Sequence, residues 1–252
     1  MISVCIAIHN GEKYITEQLD SILCQLDVDD EIIISDDGST DKSLDLVEKF
    51  GDSRIRVIHY KQQQCVLKRK HAKGFYCASA NFENALKEAR GEIIILSDQD
   101  DIWNENKVEI LKTAMRNYDI VQSNYAVIDG DGHIKCDCYL AKSPVYTSFI
   151  KNVLTHPFMG CCMAFSKEVL QYSLPFPKLV INHDCWIGCL AVRRFRYGFI
   201  ETPLIKYRRT GNNLSQSTQK SEHPIWFKIW YRLEMLISLL KHISKEERRN
   251  EE

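Results

Sequence analysis

Apolar residues open the chain as a short run. Ile2 to Ile8 shows no polar alternation, the pattern of a short strand buried on both faces of a parallel sheet. A turn at His9-Asn10-Gly11 follows, and the period changes. Ile15, Leu19, Ile22, Leu23 and Leu26 recur at helical spacing. Glu31 to Ser35 repeats the strand pattern, and the next six residues, from Asp36 to Asp41, read as loop and helix cap. Leu44, Val47 and Phe50 mark a second helix, and Ile55 to Tyr60 a third strand. Residues 61–74 are polar and basic and read as a loop. Ala78, Phe82, Ala85, Leu86 and Ala89 make a third helix, with Gly91 as its C-terminal stop. Ile93 to Ser97 is a fourth strand.

Strand and helix alternate through this first half, which predicts a doubly wound α/β domain. After Asp101 the rhythm changes. Asn106 to Tyr118 reads as a helix, Ile120 to Asn124 as a strand, and Asp129-Gly130-Asp131-Gly132 as a tight turn between two strands. Gly160 to Phe165 and Phe199 to Tyr207 read as strands, with a helix over Asp184 to Phe195. This mixed, partly antiparallel block is expected to complete the same sheet. The division that follows is 1–105 for one half of the domain, 106–213 for the other half, and 214–252 for a helical tail.

Composition narrows the classes. The apolar fraction is 44%, the charged fraction 27% and the net charge −1, so no global basic excess draws the chain to nucleic acid. The opening MISVCIAIHN lacks the charged region of a signal peptide, and no stretch reaches the roughly 18–20 apolar residues of a spanning helix. The expected location is the cytoplasm, with peripheral contact at the inner face of the membrane. Ten cysteines include no C-x-x-C pair, and in a cytosolic setting they read as buried thiols.

In open α/β sheets, ligands bind beyond the carboxyl ends of the strands. Three polar clusters fall there: His9-Asn10, Asp36-Asp37, and Asp98-Gln99-Asp100-Asp101. A single strand-end aspartate is as readily a helix cap as a ligand. Carboxylates as dense as those of the third cluster repel one another when buried, so a cation is their natural partner.

Three segments carry a resemblance to a known family: ISVCIAIHNGEKYITEQLDSILCQ, EIIISDDGSTDKS and GEIIILSDQDDIW. Together they resemble the family 2 glycosyltransferases of the GT-A fold over about the first 105 residues, with weaker echoes in GCCMAFSKEVL, NHDCWIGCLA and YRRTGNNLS. The DQDDIW form is similar to bacterial enzymes of O-antigen and capsular polysaccharide synthesis, rhamnosyltransferases among them. The resemblance implies a Rossmann-like, mostly parallel sheet flanked by helices, with a mixed second half and a C-terminal amphipathic helix. It implies an inverting, metal-dependent enzyme moving a hexose or deoxyhexose from a UDP- or dTDP-sugar to a growing, lipid-linked polysaccharide. The alternative is an inactive module that binds a nucleotide sugar or scaffolds a complex. A sugar-1-phosphate nucleotidyltransferase would need a glycine-rich loop after the first strand, where this chain has only Gly11.

Position by position, the resemblance assigns Asp37 to the uracil or thymine ring, whose imide N–H a carboxylate accepts. Asp98 faces the ribose, and Asp100 ligates Mn²⁺ or Mg²⁺. Ala7, His9, Asn10, Gln99 and Lys73 join the nucleotide-sugar set, with His9 where relatives have a stacking aromatic. Asp184 matches the catalytic base, its bland alternative being a helix cap. Asp101 is either support for the metal site or a cap of the next helix. Arg208 and Arg209, in a loop where relatives carry a histidine, are either phosphate contacts or surface charges.

The tail carries Ile225, Trp226, Ile229, Trp230, Leu233, Leu236, Ile237 and Leu240 on one helical face. Three partners fit that stripe: the protein's own core, another subunit, or a membrane interface reached through 222–245.

Overall fold

The computed structural model describes residues 1–60, 70–178, 182–210 and 224–249. The four apolar runs of the first half form β1 (Ile2–Ile8), β2 (Glu31–Asp36), β3 (Ile55–His59) and β4 (Ile93–Ser97), all parallel. Between them lie α1 (Ile15–Leu23), α2 (Ser43–Glu48) and α3 (Lys70–Lys87). Residues 61–69 of the expected loop lie outside the described residues, and 70–74 belong to the start of α3 instead. Gly91 does not stop that helix. A Cβ there would sit 2.6 Å from the Ser3 amide nitrogen, so close approach to β1 explains the glycine.

The second half supplies β5 (Ile102–Trp103), α4 (Lys107–Ala114), β6 (Ile120–Asp129), β7 (Ile134–Cys136), α5 (Phe149–Thr155), β8 (Met163–Ser166), α6 (Lys167–Ser173), α7 (His183–Arg194) and β9 (Tyr197–Arg209). α8 (Ile225–Arg249) follows. The nine strands form one sheet in the order β3-β2-β1-β4-β8-β6-β9-β5, with β7 on β6 across the Asp129–Gly132 turn. β8 is antiparallel to both β4 and β6, β5 is antiparallel to β9, and β6 and β9 are parallel. This is a GT-A architecture.

β1, β2 and β4 lack polar alternation because both of their faces are covered. Cys5, Ile33, Ile94 and Leu96 face α3, α6, α7 and α8, meeting Phe82, Leu170, Trp186 and Leu239. Val4, Ile6, Ile32, Ile34 and Ile95 face α1, α2 and α4, meeting Leu19, Val47 and Leu111. Each fully buried Leu or Ile adds roughly 1.5–3 kcal/mol. All nine cysteines among the described residues are free, and Cys5, Cys161, Cys162, Cys185 and Cys189 are buried.

The tail narrows the three readings of its stripe, which does not pack on the protein's own core. Its core face is Phe227, Met235, Leu239 and Ile243, all buried, whereas six of the eight stripe residues are exposed. The helix is apolar on two sides, and a single-stripe reading picks out the wrong one for the core.

Candidate active site

Register sets the site. Ile8 pairs with Asp36 and Ile6 with Ser97, so the ends of β1, β2 and β4 come level along one edge. β1 has β2 on one side and β4 on the other, each reached by its own crossover, which opens a crevice at that edge. A cleft of about 1190 Å³ lies there. Ala7, His9, Asn10, Asp37, Lys73, Asp98, Gln99, Asp100 and Asp184 all line it.

The loops on this edge are tied by side chains gripping backbone. Gln99 Oε1 accepts from the His9 amide at 2.8 Å, and its Nε2 donates back to the His9 carbonyl at 3.2 Å. Its side chain is therefore committed to holding the β1 loop. Asn10 accepts from the Thr40 amide at 2.8 Å, and the Ser39 hydroxyl accepts from the Asn10 amide at 3.0 Å. Asp36, buried, accepts from the amides of Gly38 and Ser39 and so shapes the β2 loop. Asp37, next along, faces the cleft. Lys73 is exposed at the start of α3 on the opposite wall.

Arg208 takes neither role expected of it. It lies in β9 rather than a loop, and its side chain is 2% exposed. Its amide donates to Asp101 Oδ1 at 3.0 Å, and its guanidinium donates to the Asp100 carbonyl at 2.8 Å and to Glu17 at 2.5 Å. The same group lies 4.5 Å from the centre of the Tyr14 ring. It is a clamp beneath the Asp100 loop. Arg209, one residue on and so on the other face of the strand, lines the cleft. Asp101 does not cap α4, whose cap position is Asn106.

Burial raises the pKa of Asp98, and the Asp100 charge beside it adds to the effect. Burial also raises Asp100, against the pull of Arg208. Asp101 is pushed up by burial and then by its two neighbours. Carboxylates in this state are short of compensating positive charge. Lys107 lies below, donating to the Cys161 carbonyl at 3.1 Å and sitting over the Trp103 ring, and burial lowers its own pKa to about 8. Ligand atoms of Asp98, Asp101 and Cys161 lie within 4.8 Å of one another. Hard carboxylate oxygens that are short of positive charge fit a Mg²⁺- or Mn²⁺-class ion. Sequence reasoning missed Lys107, Cys161 and the clamp by Arg208. Only the last left a signal: in a strand, one of two adjacent arginines must face inward.

Asp184 stands in the first turn of α7, not at its cap, which is Asn182. Its Oδ1 accepts from the Cys185 amide at 2.7 Å, and burial raises its pKa. His183 beside it stacks on Phe82 at 4.1 Å, and burial lowers its pKa. A Cβ on Gly160 would come within 3.0 Å of His183 Nε2, so the glycine keeps this corner of the cleft open.

The model of "Glycosyl transferase family 2" matches residues 3–173, and the chain belongs to that family. It is similar to the UDP-Glc:alpha-D-GlcNAc-diphosphoundecaprenol beta-1,3-glucosyltransferase WfgD of Escherichia coli, at 27% identity over 90% of this chain and 84% of that protein. It is also similar to the dTDP-rhamnosyl transferase RfbG of Shigella flexneri, at 30% identity over 82% of this chain and 72% of that one. Among solved structures, the glucosyl-3-phosphoglycerate synthase of Mycobacterium tuberculosis with Mn²⁺, UDP-glucose and phosphoglyceric acid shares the fold. The TM-score is 0.56 and the identity 20%, over 96% of this chain and 79% of that one.

Proposed function

We propose that this glycosyltransferase is inverting and metal-dependent. It moves a hexose or deoxyhexose from a UDP- or dTDP-sugar to a hydroxyl of a lipid-linked bacterial polysaccharide precursor. The observation that supports the reading is the meeting of Asp37, Asp98, Asp100 and Asp184 in one cleft, with burial raising the pKa of the last three. The donor classes and the lipid-linked acceptor follow the names of WfgD and RfbG.

In this reading Asp37 accepts from the imide N–H of the pyrimidine, and His9 packs along the base. Asp98 faces the ribose, while Asp100 would hold the metal, with Asp98 and Asp101 behind it. Held by these residues, a divalent ion would supply positive charge to offset what builds on the departing diphosphate. Asp184 takes the proton from the acceptor hydroxyl as its oxygen bonds to the anomeric carbon. The bond from that carbon to the phosphate oxygen breaks, and its electron pair leaves with the nucleoside diphosphate. One attack from the face opposite the leaving group inverts the configuration. A carboxylate whose pKa burial has raised is a stronger base than an exposed one, which suits the task.

A donor screen tests the reading. UDP-glucose, UDP-galactose, their N-acetyl forms and dTDP-rhamnose are compared by melting temperature with Mn²⁺, then by product formation on a lipid-linked acceptor. A donor at 100 times its dissociation constant adds roughly 2.7 kcal/mol. One donor should raise the melting temperature only with metal present and should support transfer. Binding without transfer on any acceptor would favour the inactive module.

A further inference from the structure

Helix α8 has one apolar face inside the protein and a second outside it. Phe227, Met235, Leu239 and Ile243 are buried, while Ile225, Trp226, Ile229, Leu233, Ile237 and Leu240 are 45–76% exposed. From Trp226 to Leu240 the outer residues fall within an arc of about 80° and run for about 21 Å. Exposed large apolar side chains are ordinary singly, but a continuous stripe marks a contact surface.

Charge selects the partner. α8 carries six basic and three acidic residues, a net of +3, in a chain whose total is −1. Arg232 and Lys241 lie about 40–60° beyond the two edges of the stripe. A tryptophan in an apolar stripe with cations along its borders is the pattern of a helix lying in a lipid interface. The neighbouring helix α5 packs on α8, exposes Ile150 and Leu154, and carries Lys151 between them. No helix among the described residues is long and apolar enough to cross a membrane.

The inner face ties this surface to the cleft. Phe227 packs against Phe75 and Tyr76, and Phe75 lines the cleft. Tyr231 meets the His156 ring edge-on at 5.1 Å, and His156 Nδ1 lies 2.8 Å from the side-chain amide of Asn182, two residues before Asp184.

We propose that the outer face of α8 docks the enzyme on an anionic bilayer surface. The stripe enters the interface, and the bordering cations meet the headgroups. This seats the Asp184 side of the cleft close to the membrane. The use of that placement rests on the lipid-linked acceptor proposed above; the binding itself does not.

The test uses the full chain and vesicles of phosphatidylcholine with about a quarter phosphatidylglycerol, without donor or acceptor. Wild type should sediment with these vesicles and do so more weakly with phosphatidylcholine alone. Brominated lipid should quench part of its tryptophan emission. Joint replacement Ile229→Ser, Leu233→Ser and Leu240→Ser should weaken vesicle binding roughly tenfold or more. Its melting temperature and its transfer to a water-soluble acceptor should stay at wild-type values. Lys241→Gln with Lys245→Gln should weaken only the binding that depends on anionic lipid. The proposal is overturned if wild type ignores the anionic vesicles, or if the triple variant binds them as wild type does. It is also overturned if wild type is a dimer that the triple variant makes monomeric, since the face is then an interface between two copies. Failure of glycosyl transfer on every acceptor would sink the proposed function and leave the vesicle result standing.

Discussion

The two walls of the cleft are built from different materials. On the strand-end wall, the β1, β2 and β4 loops are locked by polar grips on backbone: Gln99 on His9, Asp36 on Gly38 and Ser39, and Arg208 on the Asp100 carbonyl. The opposite wall, from α3 and α7 with α8 behind it, is held largely by rings, Phe82 on His183, Phe227 near Phe75 and Tyr231 on His156, with a polar tie from the His183 amide to the Ser79 hydroxyl. Polar grips fix a group in direction as well as distance, whereas ring packing fixes shape and tolerates substitution. The first wall is therefore suited to a constant ligand and the second to a variable one. Substitutions on the first should change binding of nucleotide and metal. Those on the second should change turnover and acceptor choice.

The largest effect is expected from Asp100→Ala. Transfer should vanish, and nucleoside-diphosphate binding should lose its Mn²⁺ dependence by calorimetry, with the fold intact. Full wild-type activity in excess EDTA would break the assignment. Asp184→Asn comes next and separates the walls most sharply. It keeps the shape and the bond from the Cys185 amide but cannot take a proton. Turnover should fall by roughly 10²–10⁴ while donor affinity and melting temperature hold. Unchanged turnover would leave Asp184 a structural residue of the first turn.

Arg208→Met tests the clamp. Breaking a buried ion pair costs about 3–5 kcal/mol, and Glu17, half exposed, can rehydrate, which places this case at the low end. Melting temperature should drop and metal affinity should weaken with it. A variant that loses stability but binds Mn²⁺ as wild type would show that Arg208 holds β9 and not the Asp100 loop. Asp37→Ala should weaken UDP or dTDP binding by about 1.5–3 kcal/mol, the range for a hydrogen bond to a charged group. Equal affinity in wild type and variant would make Asp37 a loop residue only.

The same contrast explains what the sequence disclosed. β1, β2 and β4 are legible because a strand buried on both faces is an apolar run, and the strand-end positions of Asp37, Asp98 and Asp100 follow from that. The elements after Asp101 are harder to read for physical reasons. β5 is two residues long and exists only through its pairing with β9. α5 and α6 have seven residues each, too short for a period to emerge. Lys107 is buried at the start of a helix, where a lysine ordinarily reads as a surface residue, so its seat beneath Asp98 and Asp101 leaves no local trace. In α8 two apolar faces compete, and the every-fourth-residue series that packs drifts over an arc of about 160°, so it forms a looser pattern than the compact stripe left outside. Which of the two faces inward depends on α5 and α7, and the helix's own sequence does not encode it.

The smallest effect concerns pH, and it probes the strand-end wall without changing a residue. Asp98 and Asp100 are raised to about 7 and about 6, above the ordinary carboxylate value. The folded, metal-free protein therefore holds a proton that the unfolded chain has released. Stability falls with rising pH wherever the native state binds more protons. The loss should begin above about pH 4 and be complete once pH has passed about 7. Melting temperature should drop by several degrees across that window, at about 2–4 °C per kcal/mol for a chain of this size. Asp184, also raised, acts in the same direction. His183, lowered by burial, acts in the opposite one, because its charging penalises the fold only as pH falls. Asp98→Asn with Asp100→Asn removes the first pair but leaves Asp101 and Asp184, both raised by burial, beside His183, so the fall of its melting temperature with pH should become shallower without vanishing. Excess Mn²⁺ should flatten the wild-type slope as well, since a cation replaces the proton, and its affinity should rise as pH climbs from 6 toward 8. A metal-free wild type whose melting temperature does not fall over this range would show that the carboxylates are already compensated, and the strand-end wall would then need no metal to complete it.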